Sequence, residues 1–331
     1  MSDAAAESPA NASLVKATRA FAREDRGKSW RLLWGTLAVH ASTTAMALFA
    51  PWLAVQIIGC VLTGLVMVRM FIFYHDYQHG AVLRNSPLAK FIMTLIGLYT
   101  LNPPAVWKET HDYHHRNNAK LLGSAIGSYP TVTVGIWNKM KPGKRRLYAF
   151  TRHPLTMLGG YFTVFITGMC MASFIRDPKA HWMGPLAIAL HVGIATLIGQ
   201  TLGWDAALLG FVLPLAGGLP IGAYLFYVQH NYPDTQLKDR RNWDYYDAAL
   251  HCSSMFEMSP IMHWFTGNIG YHHIHHLNHN IPFYRLPEAM EAIPALQNPG
   301  RTSWALKDIR AALRLKLWDP AQGKLVGWNG V

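Results

Sequence analysis

The chain has 331 residues, of which 51% are hydrophobic and only 15% are charged, and its formal net charge is +12. Because soluble globular proteins carry about 25% charged residues, this composition leaves too few charged groups to cover a water-facing surface. The composition also excludes intrinsic disorder and a coiled coil. A disulfide scaffold is excluded because the three cysteines lie far apart and form no CxxC pair. Together with 17 histidines, the composition is typical of a membrane protein that carries polar chemistry.

Long stretches without a charged side chain predict the membrane helices. The first extends from Leu32 to Val68 and contains Pro51. Since one crossing needs roughly 20 apolar residues, this stretch predicts a hairpin of two helices that turns at the proline. Two later uncharged stretches, each long enough for one helix, predict two more crossings. The four predicted transmembrane helices cover, approximately, residues 32–50, 52–73, 182–204 and 206–228.

The distribution of basic residues predicts the orientation of these helices. Short loops rich in Lys and Arg stay in the cytoplasm, and such clusters occupy residues 16–31 and 139–152. The turns within the two predicted helix pairs have no basic residue. The chain then has four crossings only if the uncharged stretches Phe91–Trp107 and Pro154–Ile175 do not cross. They must enter and leave on one face or lie in the interface. Both termini are then cytoplasmic.

These features predict an all-α integral membrane fold. It has four transmembrane helices, two membrane-dipping or interfacial segments, and a cytoplasmic cap that carries a His-rich metal site. We divide the chain into an N-terminal cytoplasmic segment (1–28), a membrane domain (29–300) and a C-terminal cytoplasmic tail (301–331). Residues 1–13 are rich in Ala and Ser, lack the apolar core of a cleavable signal, and are expected to be disordered.

The histidines that carry the chemistry are grouped in three short motifs. These motifs are His75 and His79, then His111, His114 and His115, and then His272, His275 and His276. Their spacings of i, i+3 and i+4 place the side chains of each motif on one face of a helix. Neutral imidazole is the most common metal ligand in proteins. Since eight imidazoles exceed what one tetrahedral ion binds, the sequence predicts two metal ions.

The motifs resemble the three histidine boxes of the membrane fatty acid desaturase and hydroxylase family. The matching segments are HDYQHG (75–80), HDYHH (111–115), FYVQHNYPDT (226–235) and GNIGYHHIHHLNHNIPFYRL (267–286). The last segment is especially similar to bacterial acyl-lipid desaturases, and the resemblance covers about residues 45–295. It implies a non-haem di-iron centre with O2 as co-substrate, held by the eight box histidines and by His230. His273 occupies a variable position of the third box and is expected beside the ligands or at the surface.

The resemblance also implies an activity and its partners. The protein is expected to be a membrane-bound fatty acid desaturase that converts a pair of acyl methylenes into a double bond with O2. The substrate would be an acyl-lipid or an acyl-thioester. Electrons would come from ferredoxin or a similar external donor, since no flavin or nicotinamide motif is present. The expected location is the bacterial inner membrane, among membrane lipids, and no nucleic-acid module is predicted because topology and anionic headgroups explain the basic clusters.

Two alternatives stay open from the sequence. The same boxes are compatible with a hydroxylase, a ketolase or an epoxidase of an acyl chain or carotenoid, because they do not encode whether the substrate loses a second hydrogen or receives oxygen. A His-rich metal transporter is a more remote alternative. Transporters place their ligands near the bilayer midplane, whereas these motifs lie outside the apolar stretches.

Several residues near the motifs have a less specific pattern. Ligating imidazoles usually donate their second N–H to a carboxylate or carbonyl, and four carboxylates are candidates for this role. They are Asp76, Glu109, Asp112 and Asp247, each equally typical of an ordinary solvated or ion-paired acid. His40 and His191 lie inside predicted helices, where we expect a hydrogen-bonded packing role. The remaining histidines are expected at the surface or in loops, namely His153, His181, His251, His263 and His279.

Overall fold

The computed structural model of the chain describes residues 9–124 and 126–330, and these residues are mostly helical. The elements of the first half are α1 (Pro9–Thr18), α2 (Arg26–Phe49), α3 (Leu53–His79), α4 (Pro87–Tyr99), α5 (Pro104–Asn117), α6 (Val134–Lys139), α7 (Pro142–Thr151), α8 (Pro154–Leu158), a π-helix (Tyr161–Ala172) and α9 (Ser173–Arg176). Of the stretch expected to be disordered, residues 1–8 lie outside the described residues. The expectation is wrong for residues 9–13, which form the start of α1.

The second half begins with long helices and ends with short elements. The elements are α10 (Met183–Leu202), α11 (Trp204–Ala207), a π-helix (Leu208–Val212), α12 (Leu213–Val228), α13 (Tyr245–His251), β1 (Met255–Glu257), α14 (Pro260–Phe265), α15 (His272–Leu277), α16 (Leu286–Ala292), β2 (Arg301–Ser303), α17 (Leu306–Arg314), β3 (Leu317–Asp319) and β4 (Lys324–Val326). Three short 3-10 helices complete this half: Phe283–Arg285, Pro294–Leu296 and Trp328–Gly330.

Within the described part of the chain, four helical segments are long and apolar enough to cross a membrane. They are Arg26–Phe49, Leu53–His79, Met183–Leu202 and Trp204–Val228. Each coincides with a predicted crossing, so the number of candidate transmembrane helices and their places in the chain are confirmed. Two further apolar helices, Pro87–Tyr99 and Tyr161–Arg176, are shorter than these four.

The helix α3 extends further than its apolar part. The prediction ended this helix near residue 73 because it followed hydropathy, whereas the structure continues it to His79. The helix ends at Gly80, whose φ of 75° lies in the left-handed region that favours glycine. The last turns of α3 therefore project beyond its apolar part and carry His75 and His79.

Close packing of two glycines aligns α3 with α12. A Cβ atom added to Gly218 would lie 2.5 Å from the carbonyl oxygen of Gly64, and one added to Gly64 would lie 2.8 Å from the carbonyl oxygen of Pro214. Small residues allow helix backbones in a membrane to approach this closely. As a consequence, the chain that leaves α12 after Val228 lies at the same end of the bundle as the end of α3.

Two small sheets correct the all-α prediction to a mostly helical fold. The strands β1 and β2 pair in parallel, and β3 and β4 form an antiparallel hairpin. This hairpin docks on the segment before α6, where the Trp318 N–H donates to the Val132 carbonyl over 3.0 Å. Each strand has three residues, which is too short for an alternating pattern to predict it.

Candidate metal centre

Four parts of the chain bring nine histidines together at one end of the helix bundle. They are the end of α3, the helix α5, the segment directly after α12, and the helix α15. The histidines are His75 and His79, His111, His114 and His115, His230, and His272, His275 and His276. All nine residues that the sequence analysis named as metal ligands are thus brought into proximity, and the structure divides them into two groups.

The first histidine group consists of His75, His79, His111, His115 and His275, with one ring nitrogen of each within 4.8 Å of the others. The His111 Nε2 atom lies 3.1 Å from the Nε2 atoms of both His75 and His115. The His275 Nε2 atom lies 3.1 Å from that of His115. Among the described residues, the buried Nε2 atom of His79 has no hydrogen-bond partner.

The second histidine group consists of His114, His230, His272 and His276. Their Nε2 atoms form a closed ring in which successive atoms are 3.1, 2.9, 3.1 and 3.3 Å apart, in the order 114, 230, 272, 276 and back to 114. Four imidazole nitrogens that surround one point in this way form a donor set for a single ion.

The two HxxHH helices share their ligands between the groups by the same rule. In α5, the i, i+4 pair of His111 and His115 belongs to the first group, whereas His114 belongs to the second. In α15 the assignment is reversed, because His272 and His276 belong to the second group and His275 to the first. Residues i and i+4 point in nearly the same direction from a helix, while the residue at i+3 is rotated away from them. Each helix therefore spans both groups.

Hydrogen bonding between the histidines does not explain their separations. A neutral imidazole has a single N–H. The His75 Nδ1 atom donates it to the Asp76 carboxylate over 3.0 Å, and the His230 Nδ1 atom donates it to the Cys252 carbonyl over 3.2 Å. Their Nε2 atoms are then left with lone pairs that face other imidazoles. Two nitrogens that bind one ion at roughly 2.1 Å and at a right angle stand about 3.0 Å apart, which matches the observed separations. The donor sets therefore fit metal ions.

Burial keeps these imidazoles in the form that binds metals. Metal ligation requires the neutral ring. Burial, reinforced by the neighbouring imidazoles, holds the pKa of six of them well below its usual range, and burial lowers the pKa of His230 to about 4. The six are His111, His114, His115, His272, His275 and His276.

Only one of the four candidate carboxylates contacts a histidine of the two groups. Asp76 is 1% exposed, and its second oxygen accepts the Phe283 N–H over 2.6 Å. The carboxylate thereby fixes the His75 ring and ties α3 to the segment after α15. The other three acids pair elsewhere, namely Glu109 with Arg176 and His181, Asp112 with Lys108, and Asp247 with His251.

Five histidines outside the two groups lie as the sequence predicted. His40 and His191 have the expected packing role, since they contact the hydroxyl and the carbonyl of Tyr99 over 3.1 and 3.0 Å, respectively. His153 and His251 are exposed as expected. His181 lies in the loop before α10, as expected, and it is buried there because it contacts both the Ser173 carbonyl and Glu109.

Three more histidines are wholly or partly buried. His273, which was expected beside the ligands or at the surface, is buried, and its Nε2 atom donates to the Leu296 carbonyl over 3.0 Å. His263 and His279 are half-buried. The His279 ring centroid lies 4.7 Å from that of His79, so this residue borders the first histidine group without belonging to it.

Two aromatic side chains that the sequence analysis did not single out line the centre. The Trp107 ring stacks on His111 with centroids 4.2 Å apart. The Phe226 ring lies 4.8 Å from that of His114 and 5.5 Å from that of His230. They place apolar surface directly against both histidine groups. Position in the sequence gave only a weak signal for them, since Trp107 precedes the second box by one helical turn and Phe226 precedes His230 by one turn.

Comparison with known proteins agrees with this geometry. The family model described as Fatty acid desaturase matches residues 50–305. Over 274 residues the chain is 31% identical to a protein of Bacillus subtilis named Fatty acid desaturase, a match that covers 80% of this chain and 75% of that protein. The chain therefore belongs to the fatty acid desaturase family.

More distant relatives carry more specific names. The chain is 24% identical over 270 residues to the sn-1 acyl-lipid omega-3 desaturase (ferredoxin) of a Nostoc species, with 79% of this chain and 72% of that protein covered. It is 23% identical over 279 residues to the sn-1 oleoyl-lipid 12-desaturase of a Picosynechococcus species, with 80% and 76% covered. The protein is an oxidoreductase of the fatty acid desaturase class, and the comparisons do not favour the hydroxylase, ketolase, epoxidase and transporter alternatives.

Proposed function

We propose that the protein is a membrane-bound acyl-lipid desaturase in which each histidine group binds one iron ion and O2 is the co-substrate. The observation that carries this proposal is the convergence of nine imidazoles, seven of them buried and two half-buried, into two adjacent donor sets. Imidazole binds Zn, Cu, Fe and Ni, so the donor set alone does not select the metal. Oxidation of an unactivated methylene needs a redox metal with O2, because no side chain is a sufficient oxidant. This requirement favours iron.

The electron balance of the proposed reaction requires an external reductant. Reduction of O2 to two waters takes four electrons and four protons, and removal of two hydrogens from adjacent acyl carbons supplies half of each. The other two electrons come from outside the chain, and we propose ferredoxin or a similar carrier, as in the name of the Nostoc relative. We propose an acyl-lipid substrate for the corresponding reason, since the names of both cyanobacterial relatives refer to lipid-linked acyl chains.

The residues of this chain have definite tasks in that reaction. The nine histidines hold the metals, and Asp76 retains the proton on the His75 Nδ1 atom so that the opposite nitrogen stays available as a ligand. The rings of Trp107 and Phe226 exclude water from the edge of the centre, where an acyl chain has to approach. Apolar surface at this place suits a substrate that is itself a hydrocarbon.

Expression of the gene in a host that lacks the corresponding double bond tests the proposed function. Mass spectrometry of the membrane lipids should reveal acyl chains that have lost two hydrogens. A product that has gained one oxygen instead would identify a hydroxylase or an epoxidase and contradict the proposal. An empty-vector strain grown in parallel provides the control.

The aspartate within the first box should control how tightly the protein retains its metal. Replacing Asp76 with asparagine removes the carboxylate that fixes the His75 ring, and changes in groups that hydrogen-bond to a ligand typically cost about 10- to 100-fold in metal affinity. We expect Asp76→Asn to lower the iron content of purified protein, measured by elemental analysis. Asp112→Asn is the matched control, because this aspartate also follows a box histidine but pairs with Lys108 instead of a histidine of the two groups. Equal iron loss in both variants would contradict the role of Asp76.

We further propose that both termini are cytoplasmic, in the inner membrane of a bacterium. In this arrangement residues 1–28 and 301–331 flank a membrane domain of residues 29–300, and Pro87–Tyr99 and Tyr161–Arg176 dip into the membrane or lie in its interface. The basic clusters support the orientation, because loops rich in Lys and Arg stay in the cytoplasm.

Reporter tags test this orientation. We expect tags at residues 5 and 325 to report the cytoplasm, and a tag inserted at Gly203 to report the opposite side, because α10 and α11 meet there in a turn without basic residues. Protection from protease in intact and permeabilised spheroplasts provides the measurement. A cytoplasmic signal at Gly203 would mean that the segment Tyr161–Arg176 crosses the membrane.

A further inference from the structure

The protein has a pocket that lies apart from the two histidine groups. It has a volume of about 740 Å³ and is formed by the end of α7, the start of α8, the end of α17 and the last residues of the chain. Its basic lining residues are Arg152, His153, Arg314 and Lys316. None of the nine histidines of the metal centre lines it. Binding pockets for small molecules typically have volumes of about 300–1,000 Å³, so the pocket is large enough for a polar headgroup.

In the part of the chain that the structure describes, the cations of this pocket pair with no acidic side chain. Lys316 is 5% exposed, and its Nζ atom donates to the Arg152 carbonyl over 2.6 Å. The Arg152 guanidinium is 1% exposed and donates to neutral oxygens, among them the Asn231 side chain and the Pro130 carbonyl. Within the described residues, no carboxylate forms an ion pair with Arg152, Arg314 or Lys316.

This arrangement favours an anion as the ligand. A buried charge is costly unless it is paired, and Lys is almost never fully buried without a partner. Burial and the nearby Arg152 lower the pKa of Lys316 to about 8, as expected for a cation that lies in a buried place beside another cation. A bound anion would offset the cost of burying Lys316 and Arg152 next to each other.

The surroundings of the pocket favour an anion that carries acyl chains. Leu147 and Phe150 of α7 and Leu155 and Leu158 of α8 flank the basic lining in the sequence, and all four side chains are more than half exposed. Basic residues beside exposed apolar side chains are typical of a surface that lies at a membrane interface and contacts anionic lipids. The two helices that contribute Arg152 and Pro154 to the pocket region therefore also carry exposed apolar side chains.

We propose that this pocket binds the phosphate of an anionic phospholipid, with Arg314 and Lys316 facing the headgroup and the acyl chains lying against Phe150 and Leu155. The ammonium of a zwitterionic headgroup would meet these cations, so an anionic headgroup such as phosphatidylglycerol is preferred over phosphatidylcholine. The site needs no metal and is independent of the desaturation reaction.

The test uses the full chain in detergent and a fluorescent short-chain phosphatidylglycerol. Because each charge-assisted contact to phosphate is strong, we expect Arg314→Gln and Lys316→Gln each to weaken binding about tenfold. Arg310→Gln is the matched control, since this exposed arginine lies one turn earlier on α17 and does not line the pocket. Lys316 is buried and its variant must be shown to fold, whereas Arg314 is exposed and carries the test by itself.

Further measurements separate this site from the metal centre and from other ligands. The variant His275→Ala should bind the lipid as tightly as the unmodified protein, so the site can be verified even if the proposed desaturase reaction is wrong. Equal weakening by Arg310→Gln and Arg314→Gln would mean unspecific attraction and overturn the proposal. Equally tight binding of phosphatidylcholine would overturn it too, as would displacement of the probe by inorganic phosphate or coenzyme A as effectively as by phosphatidylglycerol.

Discussion

Replacing His275 with alanine is expected to remove iron from the protein and to abolish desaturation. The His275 Nε2 atom lies 3.1 Å from the Nε2 atom of His115, and its ring centroid lies 4.4 Å from that of His75. Its loss removes the ligand that α15 contributes to the first histidine group. The expected loss of activity exceeds the roughly 10- to 100-fold effect that is typical of residues that only support a ligand. Iron content and the unsaturated fraction of membrane lipids provide the two measurements.

The same variant should still insert into the membrane. Insertion depends on the four apolar segments, and His275 belongs to none of them. His251→Ala is a suitable control because this exposed histidine on α13 pairs with Asp247, outside the two groups. Normal iron content and activity in His275→Ala, at equal amounts of membrane protein, would contradict the assignment of the first group.

Replacing His230 with alanine should abolish desaturation as completely as the change at His275. No local motif supports His230 as a ligand, yet its Nε2 atom lies 2.9 Å from that of His272 and 3.1 Å from that of His114. The Cys252 carbonyl orients the ring by accepting its Nδ1 proton. Without His230, the second group is reduced to three imidazoles.

His273 provides the comparison for this prediction. It is as buried as the other histidines of α15, but its Nε2 atom donates a hydrogen bond to the Leu296 carbonyl. His273→Ala leaves that carbonyl without its partner and should cost about 1–3 kcal/mol of stability, while substantial activity is retained. The unsaturated-lipid content of cells ranks the two variants, after correction for protein level. Greater activity in His230→Ala than in His273→Ala would mean that the family's ligand pattern does not apply to this chain.

The helical spacing of the boxes predicted which histidines converge, because side chains at i, i+3 and i+4 share one helix face whatever the rest of the fold is. It could not predict how they divide. The residue at i+3, His114, is rotated away from His111 and His115 within α5, but which histidines of other helices each of them meets depends on how the helices pack. His230 could be named only from the resemblance, since a single histidine after an apolar helix has no spacing to analyse.

Other features depend on contacts between distant parts of the chain, which a local pattern does not contain. His181 was expected at the surface or in a loop, and nothing in the sequence indicated that this loop residue is buried against Glu109 of α5. The predicted C-terminal tail, residues 301–331, has structure that no local pattern indicated, because β3 pairs with β4 and docks beside α6. In both cases the side chain or strand acquires its partner only through the folded chain.

The most direct test of the central claim is the metal content of the full chain purified without chelators. Nine histidines in two groups predict about two irons per chain, together with activity that disappears when iron is removed and returns when it is restored. One zinc per chain, or full desaturase activity in iron-free protein, would contradict the assignment of the two histidine groups as a di-iron centre.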